Sequence, residues 1–127
     1  MSSLLLCVGD QPELLQSRKK DLEQLGFEVV NATSSADAVS ALERTEVTAV
    51  LLEYQPEGLD AEILASEIKQ RFPQQPVILI CPYADIPERV LWLVDEFMMR
   101  SEPLEVLLEI VDRVIALQHL RKRGAAA

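Results

Sequence analysis

Residues 50–64 read VLLEYQPEGLDAEIL. Val50, Leu51 and Leu52 form an apolar run without alternation, Glu53 ends it, Pro56 and Gly58 mark a loop, and Asp60 stands where a helix carrying Ile63 and Leu64 would need its cap. A strand that is apolar on both faces must be covered on both faces, which places it in a parallel sheet between layers of helices. A carboxylate at the carboxyl end of such a strand, beside a strand-to-helix loop, lies where α/β proteins hold their ligands. Glu53 is therefore read in three ways: a reactive group, a metal ligand, or the charge left in a site whose chemistry has gone.

The same alternation of elements extends outward from this stretch. Leu4 to Val8 is a continuous apolar run ending at Gly9-Asp10. Pro12 suits the first turn of a helix in which Leu14, Leu15, Arg18, Leu22 and Leu25 recur at helical spacing until Gly26 stops it. FEVVNA (27–32) predicts a second strand, and Ser34 or Ser35 caps a helix through Ala38, Leu42 and Arg44. Val47 to Leu52 is the third strand, and the helix after Asp60 carries Ile68 and Phe72. VILIC (77–81) is the fourth strand, Pro87 opens a helix through Trp92, EFMM (96–99) is a short fifth strand, and Pro103 opens a long final helix with Leu107, Ile110, Val111, Val114 and Ile115 on one face. The pattern is strand-helix repeated five times, so a three-layer αβα domain with a five-stranded parallel sheet is expected. The strand ends to inspect are Gly9-Asp10, Asn31, Glu53-Tyr54-Gln55, Cys81-Pro82 and Arg100-Ser101.

Composition narrows the classes of function. The 127 residues are 49% apolar, enough for a real core and the size of one domain. A net charge of −9 disfavours nucleic acid and anionic membrane as partners, since both are bound by basic surfaces. The cluster Arg121-Lys122-Arg123 reads as the charge bias of a helix C-terminus followed by a frayed tail, with a domain at 1–118 and a tail at 119–127. Cys7 and Cys81 both lie in strand-like apolar runs, which fits buried free thiols in a cytoplasmic protein. The start MSSLLLCVGD has neither a basic segment nor enough apolar length for a signal peptide or a membrane span. His119 stands alone with no metal set around it.

At this point five segments, in order, resemble the receiver domain of response regulators, the phosphoacceptor module of two-component signalling. They are LLLCVGDQPELL (4–15), LGFEVVNATSSADAVSAL (25–42), LLEYQPEGLDAEIL (51–64), PVILICPYAD (76–85) and DEFMMRSEP (95–103). The resemblance spans about Leu4 to Leu117 and implies the CheY-like, flavodoxin-like strand order 2-1-3-4-5. It also implies a phosphoacceptor pocket, but at six positions this chain departs from the pattern. Gly9 replaces the first of two acids, leaving Asp10. Glu53 replaces the acceptor aspartate, and misplacing a reacting group by an ångström can cost about 10²-fold in rate. Cys81, a poor donor, replaces the hydroxyl residue. Pro82 has no N–H to offer a phosphoryl oxygen. Arg100 replaces the lysine and Ser101 the following proline. Gln55, whose backbone carbonyl would ligate a metal, discriminates nothing.

The expectation is a non-enzymatic pseudo-receiver with no cofactor and no metal; any metal would fall to Asp10, Glu53 and Gln55. Glu53 and Arg100 are expected to pair in a fork, either fixing one signalling state or only neutralising each other. Phe97 matches the family's switch aromatic and is read as plain packing. Val90 to Val94 are all apolar, so one short helix cannot turn them all inward. Leu91, Trp92 and Met98 are therefore read as an interface on the face built by the fourth helix, fifth strand and fifth helix. The partner would be a histidine kinase, an effector chain or a second copy, with output through another chain because no effector segment follows. Two alternatives stand beside this reading. One is a working Mg²⁺-dependent phosphoacceptor in a phosphorelay. The other is a small flavodoxin-like redox or cofactor carrier, disfavoured by a chain with four glycines.

Overall fold

The computed structural model describes residues 3–55, 59–82 and 86–126, with side chains described through 121. The loop prolines and glycines at Pro56 and Gly58, the segment Tyr83 to Asp85, and the side chains of Lys122 and Arg123 lie outside the described residues. Ten elements alternate: β1 (Leu4–Val8), α1 (Pro12–Gln24), β2 (Glu28–Ala32), α2 (Ser35–Arg44), β3 (Ala49–Glu53), α3 (Ala61–Arg71), β4 (Val77–Cys81), α4 (Glu88–Leu91), β5 (Glu96–Met99) and α5 (Leu104–Ala126). All strand pairs are parallel, and the order is β2-β1-β3-β4-β5.

Local chemistry sets the boundaries. Pro12 opens α1, where its missing N–H costs nothing, and Gly26 ends that segment at φ 96°, in the left-handed region that L side chains rarely adopt. Ser34 accepts a bond from the Asp37 amide at 3.1 Å and Asp60 one from the Ile63 amide at 3.0 Å, each satisfying an otherwise orphaned N–H of the first turn.

Side chains of the three inner strands alternate between two cores. Leu6, Val8, Val50, Leu52, Leu79 and Cys81 pack under α2, α3 and α4. Leu5, Cys7, Ala49, Leu51, Ile78 and Ile80 pack under α1 and α5. Glu53 continues the second series, so it emerges on the side covered by α1. That period-two step decides which residues it meets.

Several expectations need correction. Met98 is 5% exposed and sits in the core under α5, because alternation along β5 turns it inward with its partner Ile80; it is not a surface residue. Phe97, read as packed, faces the other way and is 50% exposed, since α4 is only four residues long. Trp92 is not within that helix but at its C-cap, and β3 runs from Ala49 to Glu53 rather than from Val47. The last helix passes residue 118 without a break and reaches Ala126.

Candidate functional site

The carboxyl ends of β1, β3, β4 and β5 converge, and Glu53 stands among them with 2% of its surface exposed. A buried, unpaired carboxylate would be strongly destabilising. Glu53 is paired twice. Its Oε2 accepts from Arg100 Nη2 at 3.0 Å, and its Oε1 accepts from Arg18 Nη1 in a short contact. Arg100 comes from the turn after β5, on the same side as Met98, and its backbone N–H donates to the Cys81 carbonyl at 2.7 Å, fixing its start. Arg18 comes from the buried stripe of α1, between Leu15 and Leu22, and its side chain is 12% exposed against 30% for Arg100. Both arginines border a cleft of about 190 Å³ between α1 and α5, together with Ser17, Asp21, Met98 and Leu104.

Gly9 leaves room for the stem of the Glu53 side chain. A Cβ at Gly9 would lie 3.0 Å from Glu53 Cγ and 3.2 Å from its Cβ. The chain of Glu53 therefore passes over the space left by the missing side chain on its way to the arginines. Glycine at position 9 and the side chain at position 53 are sterically coupled.

The other expected site residues are placed as follows. Asp10 accepts from the Leu59 amide at 3.4 Å through Oδ2, while its Oδ1 is buried without a partner among the described residues. Gln55 Nε2 and Arg100 Nε are also buried and unpartnered among those residues. Cys81 is buried on the far side of the sheet, under α2, α3 and α4, and its thiol is pushed up to about 11, first by burial and then by the charge of Glu53. Cys7, on the near side, is pushed up to about 12, chiefly by burial. Both thiols are free and neutral at ordinary pH. Pro82 is half-buried and Ser101 exposed, and neither has a hydrogen-bond role among the described residues.

Sequence reasoning missed Arg18. The signal was a charged residue in an otherwise apolar helical stripe, which requires a buried acid opposite. Among the described residues Glu53 is the one buried charged group.

The fold's family implies a Mg²⁺ ion at this place. Mg²⁺ takes octahedral oxygen ligands and is held by carboxylates. Here Gly9 supplies none, both oxygens of Glu53 are engaged by guanidinium groups, and Asp10 alone remains. Among the described residues no group of three His, Cys, Asp or Glu side chains could hold a metal. The residues do not fit the ion.

Comparison with known proteins agrees with this architecture. Residues 13–107 match the family model described as the Orn/Lys/Arg decarboxylase N-terminal domain. The transcriptional regulatory protein PrrA of Mycobacterium leprae is 31% identical over 99% of this chain and 53% of its own length, so the chain spans about half of that relative. The response regulator TrrA of Thermotoga maritima, solved in complex with Mg²⁺-BeF, superposes with a TM-score of 0.80 at 23% identity, covering 88% of this chain and 98% of TrrA. A CheY-like receiver domain from Methanospirillum hungatei superposes with a TM-score of 0.83 at 20% identity, over 95% and 99% of the two chains. Parallel order 2-1-3-4-5, two helical layers and these likenesses together make the chain a CheY-like response-regulator receiver domain, belonging to the family of the Orn/Lys/Arg decarboxylase N-terminal domain.

Proposed function

We propose that this receiver domain takes no phosphoryl group at the usual strand-end position and works through protein contacts, as a non-enzymatic, cofactor-free component of a cytoplasmic signalling pathway. The observation that carries the reading is the double engagement of Glu53. A carboxylate nucleophile must present a free oxygen in line with the phosphorus, and positioning is most of what catalyses such transfers. Both oxygens of Glu53 are held by arginines, and the carboxylate is buried.

The contact surface lies on the flank of α4, β5 and α5. Trp92 is 72% exposed, Leu91 is half-buried beside it, and Phe97 adds its outward ring. An exposed tryptophan beside further apolar surface is the usual anchor of a protein interface. The partner is a histidine kinase, an effector chain or a second copy of this chain. The acidic net charge disfavours nucleic acid and anionic membrane, and no described helix is long and apolar enough to cross a membrane.

The family description favours one further reading, a non-catalytic segment acting on a decarboxylase. It differs only in the partner. Titrating the chain against purified ornithine, lysine and arginine decarboxylases by interferometry separates it from the signalling reading, since saturable binding to one of them would replace the kinase or effector chain. The Mg²⁺-dependent phosphoacceptor and the redox carrier find no support in the pocket residues.

The test of the main reading is intact mass after incubation with Mg²⁺ and acetyl phosphate. An unchanged mass is expected. A phosphoryl adduct on the unmodified chain would overturn the proposal.

A further inference from the structure

Three observations meet at the end of β3. Any side chain at Gly9 would press on Glu53, at 3.0 Å from Cγ, yet among the described glycines only Gly26 has a positive φ, so space rather than backbone conformation requires glycine at position 9. Glu53 reaches past that space to Arg18 on α1 and Arg100 after β5. Both oxygens of Glu53 are thereby taken up by guanidinium groups, and a hard divalent cation, which needs anionic oxygens free to ligate it, finds none on Glu53.

We infer that Gly9, Arg18, Glu53 and Arg100 are one interdependent unit, in which the two guanidinium groups take the electrostatic place of a divalent cation, so that the pocket rejects Mg²⁺ and accepts it once an arginine is removed. The inference deepens the proposed function and rests on its reading of Glu53. It turns scattered departures from the family pattern into a single exchange. The metal's charge is supplied by side chains, and glycine at position 9 leaves room for the stem of the carboxylate that meets them. Asp10 Oδ1, buried and unpartnered, is the oxygen that would join Glu53 on a cation when Arg100 is gone.

Thermal unfolding of the full chain with MgCl₂, against NaCl at equal ionic strength, tests the cation half. The wild-type midpoint is expected not to move. Arg100→Met is expected to gain a saturable upward shift, half-complete in the millimolar range. Arg18→Met serves in its place should Arg100→Met not fold. A saturable Mg²⁺ shift in the wild type, or a folded arginine variant that does not respond to Mg²⁺, overturns the inference. The steric half needs no cation. Gly9→Ala is expected to lower the folding equilibrium constant by about tenfold or more in the wild type, as overpacking does, and by far less in Glu53→Ala. Equal losses in the two backgrounds would contradict it. Mg²⁺ binding without a phosphoryl adduct would sink this inference alone, whereas an adduct would sink the proposed function.

Discussion

The carboxyl end of β3 and the flank of α4 and β5 lie on the same sheet and use their residues in opposite ways. At the first, three charged groups answer one another, so that a buried carboxylate keeps both its oxygens occupied. At the second, apolar groups are turned outward without cover. Trp92 sits at the end of a four-residue helix, its carbonyl tied to Lys69 Nζ at 2.7 Å, and Phe97 faces solvent from an edge strand. The contrast separates chemistry from recognition. The pocket spends its charge on internal pairs, whereas Trp92 and Phe97 leave apolar surface open to solvent.

The strongest way to break that contrast is to empty the pocket. Glu53→Ala leaves two guanidinium groups facing each other, one of them nearly buried, and is expected to lose about 3–5 kcal/mol in urea unfolding, the usual cost of breaking a buried ion pair. A loss below about 1 kcal/mol would mean that the carboxylate is not held as described.

A second test sharpens the contrast within the pocket. Arg18→Met is expected to cost about 2–3 kcal/mol, because its charged hydrogen bond is almost fully screened from water. Arg100→Met should cost about 1 kcal/mol less, since its side chain is 30% exposed and solvent already weakens the pair. The reverse order would contradict the assignment of Arg18 as the principal partner.

The thiols give a smaller, pH-dependent signal. Burial raises Cys7 to about 12 and Cys81 to about 11 from an ordinary value of 9.0. Between these values and 9.0 the unfolded chain has lost protons that the folded chain still holds, so stability falls as pH rises. It is fully present below about pH 9 and is lost progressively up to the folded values. Unfolding midpoints of the wild type and of Cys7→Ala/Cys81→Ala, followed from pH 8 upward (about one unit below the unfolded thiol value), should diverge, the variant being the flatter. Parallel curves would show that the thiols are not shielded.

The smallest effect on stability belongs to the other region. Trp92→Glu removes an exposed ring that supports no core and should change stability by no more than about 0.5 kcal/mol. It should nevertheless abolish self-association or partner binding, measured by sedimentation. A variant that destabilises the fold while leaving association intact would reverse the roles of the two regions.

The fold was legible because its signals are local. Continuous apolar strands, Pro12, Gly26, Ser34 and Asp60 each act through their own turn of chain. The site was legible only in part. Glu53, Arg100 and Gly9 stand at strand ends that the topology brings together, so their meeting follows from order alone. Arg18 is contributed by a helix, and its role depends on which face of the sheet Glu53 leaves from, a parity set by one residue of register. Met98 was misjudged for the same reason: only alternation along β5 tells it from the exposed Phe97 beside it. The steric role of Gly9 was hidden because a missing side chain leaves no trace until the atom that fills its space is known.

The central claim is that Glu53 is held by Arg18, and a double-mutant cycle on Glu53→Gln and Arg18→Met, read as unfolding free energy, tests it most directly. The account predicts a coupling of about 1.5–3 kcal/mol, the range for hydrogen bonds to charged groups. Losses that simply add would mean the two groups do not interact, and the picture of a pocket closed by its own charges would fall.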